Sequence, residues 1–271
     1  MRAAAGVRVV RHSDRRRSAR RRRVLWTGGE VLVTGGLVLL LLVVHQVWWT
    51  NREARRGAGH TVAALEREWG SGSGSATTAG SDGGSPGDSA TAPAVAPGTP
   101  AASGTPSPAP RRPYTPAAPP RRSQAYAVLT IPRLHLRVPI AEGVSRADVL
   151  NKGYVGHYRG TQQPGRAGNF ALAGHRNTHG EPFRHLPRLR RGDAVEVETR
   201  SATYTYDVDQ VLPRTSARDS GVLRPVPRSL VRPGYGYDDP GSYLTLTTCT
   251  PEFTSRYRLV VWAKLASVRP R

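Results

Sequence analysis

The sequence predicts an all-β domain, a barrel or sandwich of short strands, carried on one transmembrane helix through a long flexible linker. Three observations predict it. From residue 124 onward, short apolar or alternating segments recur between Gly, Pro and Asp, and only brief helices fit. Residues 31–49 hold no charged side chain. Residues 70–120 are dominated by Gly, Ser, Ala, Thr and Pro, too poor in large apolar residues to form a core.

Taken in order, residues 1–23 read as a flexible basic tail on the cytoplasmic side, with eight arginines crowded between Arg11 and Arg23. Residues 24–49 form the membrane span, with Glu30 their one charge. Its uncharged part, about 19 residues, makes about 28 Å of helix, close to the hydrocarbon thickness of a bilayer. Trp48 and Trp49 close the span, where aromatic rings favour the interface. Their bulk also argues against a cleaved leader, which needs small residues at its cleavage site. The arginine block on the N-terminal flank keeps that end in the cytoplasm and places the rest of the chain outside.

Residues 50–69 are a juxtamembrane helix or linker, with a weak apolar face at Ala63, Ala64, Leu65 and Trp69. Residues 70–123 read as a disordered linker with a typical reach of about 40 Å. Residues 124–271 are the folded, extracytoplasmic domain. Strands are expected at 127–131, 138–140, 170–173, 194–199, 203–208, 244–248 and 259–266, with a hairpin at Arg200–Ala202. Short helices are expected at 146–151 and 181–185.

Of 271 residues, 40 are Lys or Arg and 19 Asp or Glu, for a formal charge of +21. About ten positive charges of that surplus belong to the folded domain. Such a charge suits anionic partners, but nucleic acid is not expected outside the cytoplasm. Cys249 is the single cysteine, so no intrachain disulfide forms, and no zinc-like spacing exists. It is either a buried small hydrophobe or a reactive thiol. Its place makes the thiol reachable: it ends an apolar strand, and Thr250 and Pro251 lead into a loop. A cysteine nucleophile needs a base or cation beside it and donors for the developing oxyanion. His175, after Gly174 at the end of another apolar strand, is the candidate base. Arg258, which opens the last strand, is the candidate cation. His157, His179 and His185 read as surface or packing residues, and Asp238, Asp239 and Glu252 form at most a weak acidic spot.

These residues together resemble the sortase family. Thr245, Leu246, Thr247, Thr248 and Cys249 match its TLxTC signature, and Arg258 follows the cysteine at a suitable interval. The run from Phe170 to His175 and Arg176 resembles the segment that carries the sortase histidine. Thr130, Ile131 and Pro132, and Val138, Pro139 and Ile140, resemble its first strands. The sequence is most similar to class E sortases of high-GC Gram-positive bacteria.

The resemblance implies a closed barrel of about eight strands and a cysteine transpeptidase. Cys249 would attack the Thr–Gly bond of an LAxTG- or LPxTG-type sorting signal, giving a thioacyl enzyme. His175 would pass the protons, and Arg258 would bind substrate or oxyanion. Thr248 and Thr250 are secondary candidates for substrate or oxyanion contact. The acceptor would be a peptidoglycan amine, and the loop from Pro213 to Pro240 would flank the groove. No cofactor or metal is implied; the acidic residues with which some sortases bind calcium are not recognisable. Two other readings stand beside this one. A pilin-polymerising sortase often carries an Asp-Pro-aromatic lid motif, which is missing before the domain. A non-enzymatic module binding anionic wall polymers would leave the strand-end Cys, His and Arg unexplained.

Overall fold

The computed structural model describes residues 12–73 and 119–271. Eight strands follow one long helix: β1 (Ala125–Ile131), β2 (Leu136–Glu142), β3 (Val155–His157), β4 (Gly168–Ala173), β5 (Ala194–Thr199), β6 (Ala202–Ser216), β7 (Ser242–Thr250) and β8 (Tyr257–Pro270). They close into a barrel in the order β1-β2-β3-β4-β7-β8-β6-β5. The pairs β2–β3 and β4–β7 are parallel and the others antiparallel.

Alternation builds the core. In β5, Val195 and Val197 are buried while Glu196 and Glu198 are not, as expected for a strand with one face inward. Leu129, Ile131, Ile140, Phe170, Leu172, Leu244, Leu246 and Val261 fill the interior with them. β7 is buried on both faces. Its outer face, with Tyr243, meets Leu212, Val222, Tyr237, Val260 and Trp262 in a second cluster beneath the β6–β7 connection.

Several sequence expectations shift. β3 was not expected, because three residues are too few to show a period. The segments 146–151 and 181–185 are turns, with 3-10 turns at Leu150–Lys152 and Leu186–Arg188 in place of helices. Five or six residues cannot offset the cost of helix nucleation, and Gly153 (φ 78°) stops the first of them. β6 runs past Pro213 to Ser216, where Thr215 and Ser216 still pair with Arg258 and Tyr257. Pro213 sits where the register shifts, so its missing N–H is tolerated. The connection between β6 and β7 therefore begins at Ala217 rather than at Pro213.

The N-terminal element differs most. A single helix, α1, runs from His12 to Ser73. It begins inside the stretch read as a flexible tail and takes in the whole juxtamembrane segment. Arginine is a good helix former, and a helix once nucleated propagates cheaply. The helix is long and apolar enough to cross a membrane, and residues 24–49 are exposed along its length. Beyond them one face is buried: Ala54, Ala58, Val62, Leu65 and Trp69, at the three- and four-residue spacing of a helical stripe. Ala63 and Ala64, expected on that face, are exposed. The stripe packs on β1 and β2, with Val62, Leu65 and Trp69 around Val128. Glu66 pairs with Arg137 and Glu68 with Arg200, and the Arg271 guanidinium lies 4.9 Å from the Trp69 ring centre. The barrel is thus held along the helix, not merely strung from its end. Residues 74–118, most of the expected linker, lie outside the described residues.

Leu246, 1% exposed in the middle of β7, is part of the shared core. Leu246→Ala is expected to cost about 2–5 kcal/mol, read as a lowered urea midpoint with an unchanged m value.

Candidate active site

Three neighbouring strands bring the chemistry to one end of the barrel. Cys249, partly exposed, is the penultimate residue of β7. In the antiparallel β7–β8 ladder it stands directly opposite Arg258, so both side chains leave the same face. The parallel β4–β7 ladder runs in one-to-one register up to Ala173 opposite Thr247. It extends past the strand end, because Gly174 N–H donates to the Thr247 carbonyl at 3.2 Å. Continued past Gly174, that register would set His175 beside the end of β7 that carries Cys249. By alternation Cys249 shares the outer face of Tyr243, Thr245 and Thr247, while Thr248 turns inward.

His175 is half-buried and held on two sides. Its Nε2 lies 3.0 Å from Asn151 Oδ1. As the amide is oriented, Oδ1 accepts, so Nε2 carries the proton and Nδ1 is the basic nitrogen. Its ring stacks on His179 with centroids 5.4 Å apart. Burial, then His179, then Arg146 push its pKa down to about 4, so the imidazole is neutral near pH 7. Gly174 leaves no room for a side chain: an added Cβ would lie 2.7 Å from the Phe183 ring.

The remaining sequence candidates fall into place differently. Thr248 is buried, and its hydroxyl donates to the Gly174 carbonyl at 2.8 Å; that bond ties β7 to the His175 segment. Thr250 Oγ1 accepts from Arg176 Nη1 at 3.0 Å. The Arg258 Nη1 donates to the carbonyls of Ser255 and Tyr257 at 2.8 and 3.0 Å, folding the guanidinium back on its own hairpin. Of the competing histidines, His157 is buried in a polar knot with Glu142, Tyr126 and Thr161, and His185 is exposed. Asp238 pairs with Arg228 and Glu252 with Arg184. Among the described residues no group of three or more His, Cys, Asp or Glu is placed to hold a metal.

Sequence reasoning missed three residues here. Arg176 Nη1 also donates to the Cys249 carbonyl at 3.3 Å, which puts a second guanidinium at the thiol's own backbone. Asn151 orients the histidine. Asp219, buried, accepts from Thr215 Oγ1 at 2.6 Å and from the Leu230 N–H at 2.9 Å. Burial alone would raise its pKa, but these bonds and that from Ser229 hold it low. Only Arg176 left a signal, as the neighbour of His175 in the histidine segment.

The sortase domain family matches residues 129–266. The chain belongs to the sortase family. It is 40% identical over 232 residues to sortase SrtE1 of Streptomyces coelicolor, covering 84% of this chain and 53% of that protein. Sortase SrtE2 of the same organism is 40% identical over 125 residues, covering 43% of this chain and 46% of the relative. The chain thus spans about half the length of these curated relatives. A crystal structure of sortase E1 from Streptomyces coelicolor, with a tripeptide in its active site, superposes with a TM-score of 0.52 at 51% identity. The match covers 55% of this chain and 92% of that one. The class E names agree with the resemblance read from the sequence, and the closed eight-stranded barrel is the sortase fold.

Two outcomes are expected at this end of the sortase barrel. An NMR titration of His175 should show a midpoint near 4, and a midpoint at the ordinary 6.5 contradicts it. The neutral ring is favoured by folding, so its contribution to stability is present above about pH 6.5 and lost as the pH falls through about 4. Gly174→Ala should press on Phe183 and cost about 1–3 kcal/mol, lowering the melting temperature and displacing His175.

Proposed function

We propose that this sortase is a membrane-anchored cysteine transpeptidase whose nucleophile is Cys249, with the amino terminus cytoplasmic and the barrel outside. One observation carries the reading: Cys249 stands opposite Arg258 in the β7–β8 ladder, and His175 follows β4 by two residues at the barrel end where Ala173 pairs with Thr247. The sortase E1 relative holds a tripeptide in its active site. A peptide substrate is proposed here too, a sorting signal of the LAxTG or LPxTG type cut between Thr and Gly.

The neutral imidazole suits the first step. As Cys249 Sγ attacks the Thr carbonyl carbon, His175 takes the thiol proton. The oxyanion then collapses, the C–N bond breaks, and His175 returns the proton to the leaving Gly amine. A thioester remains on Cys249. His175 next takes a proton from the incoming amine, which attacks the thioester; the C–S bond breaks and His175 passes that proton to the departing Sγ, restoring the thiol. Arg258 supplies charged donors for the oxyanion or the bound peptide. That role requires its guanidinium to leave the Ser255 and Tyr257 carbonyls when substrate enters. Thr248 acts through the strand junction it makes, and Thr250 through its bond to Arg176. The amine is assigned to peptidoglycan.

The test is transfer of a fluorescent LAxTG peptide to a glycine amine by the full chain. Cys249→Ala should abolish transfer and the thioester adduct detected by mass spectrometry. His175→Ala should lower kcat by about 10²–10⁴-fold, and Arg258→Ala by about 10²–10³-fold. Undiminished transfer by Cys249→Ala would sink the reading. Binding of anionic wall polymer without peptide cleavage would favour the non-enzymatic alternative.

A further inference from the structure

We propose that the anchor helix is part of the catalytic site, with Asn51 and Arg55 of α1 acting as positioning residues for His175. The inference rests on the reading of His175 as the proton carrier. Its basis is a polar clasp between residues some 130 positions apart. Asn51 uses both ends of its amide: Nδ2 donates to Glu181 Oε1 at 2.9 Å, and Oδ1 accepts from the Gly180 N–H at 3.2 Å. One turn along the helix, Arg55 Nε donates to the Gly180 carbonyl at 3.1 Å and Nη2 to Glu181 Oε2 at 3.1 Å. The helix therefore holds both backbone groups of Gly180 and both carboxylate oxygens of Glu181. Arg184 adds a third donor to that buried carboxylate at 2.8 Å.

The clasped loop needs an outside hold. His179, Gly180 and Glu181 stand in succession at φ 52°, 84° and 53°, a left-handed run that two of the three residues disfavour. The loop is also the wall of the candidate base. His179 stacks on His175, and the Phe183 N–H donates to the His175 carbonyl at 3.0 Å.

The opposite side of His175 leans on the same stretch of helix. Asn151, the partner of Nε2, lies in the turn Leu150–Lys152, against which α1 packs. Gly153 approaches so closely that an added Cβ would lie 2.9 Å from the Ala54 carbonyl oxygen. Thr61 Oγ1 and Tyr154 Oη lie 2.7 Å apart. Both contacts that orient the imidazole are thus backed by residues 51–61 of one helix. The apolar stripe at Val62, Leu65 and Trp69 would dock the helix without this clasp, so docking alone does not explain it.

The experiment uses the full chain in nanodiscs. Asn51→Ala/Arg55→Ala should lower kcat about ten- to hundredfold, leave KM for the reporter peptide nearly unchanged, and speed modification of His175 by diethyl pyrocarbonate. Arg55→Lys should recover more kcat than Arg55→Ala, since it keeps the charge on Glu181 but loses the bond to Gly180. Glu68→Ala, at the far end of the docked helix, should leave kcat unchanged. Wild-type kcat in the double variant, or a loss equalled by Glu68→Ala, overturns the proposal. Should the double variant unfold, the comparison of Arg55→Lys with Arg55→Ala decides by the same criterion. His175→Ala separates the two layers. If it keeps full transfer, the assignment of His175 fails. If it abolishes transfer while the double variant keeps wild-type kcat, only the role of the helix fails.

Discussion

The parallel ladder between β4 and β7 is the constraint on which the site depends. Its register advances residue for residue from Gly168 opposite Ser242 to Ala173 opposite Thr247. A slip of one residue would turn Cys249 inward and Thr248 outward, since strand side chains alternate. Several features act against a slip. Leu244 and Leu246 are wanted in the core. Thr245 donates to the buried Asn169 amide oxygen at 2.7 Å. Thr248 bonds the Gly174 carbonyl one step from the histidine. The threonines of the TLTTC run thus set where the thiol points, through contacts that never touch it.

The same segment shows which parts of the fold are legible in sequence. β5 and β7 announce themselves, because Val195 and Val197, or Leu244 and Leu246, must share a face. β3 does not, since three buried residues carry no period. The end of β6 is hidden by Pro213, which reads as a loop residue although the strand absorbs it at a register shift. Cys249, His175 and Arg258 stand out as candidates because each lies at or just past a strand end. Their alignment does not, because register between β4 and β7 spans some seventy residues.

Polar contacts over long separations are the least visible. Asn51 has nothing in its neighbourhood to mark it, since its partner is Glu181. The juxtamembrane stripe is nearly as obscure: Ala54 and Ala58 are small, and their burial follows from what they pack on. The expectation of a barrel free on a long tether came from composition, which reports how a segment behaves alone. It says nothing of whether the helix before that segment finds a surface to cover. Here Val128, on the outer side of β1, supplies one.

The clasp at Asn51 also fixes a height. Asn51 follows Trp49 by two residues, about 3 Å of helix rise, and Arg55 by six, about 9 Å. On a helix that crosses a bilayer, with its tryptophans at the interface, the loop beside His175 sits at the depth of the lipid headgroups. The transfer proposed above would then occur at the membrane surface itself, at a distance set by helical pitch. Lengthening or shortening the segment between Ser73 and Pro119 leaves that altitude unchanged. On the proposed topology the helix would work as a ruler, and the molecules this site could meet would be those that come down to the plane it marks.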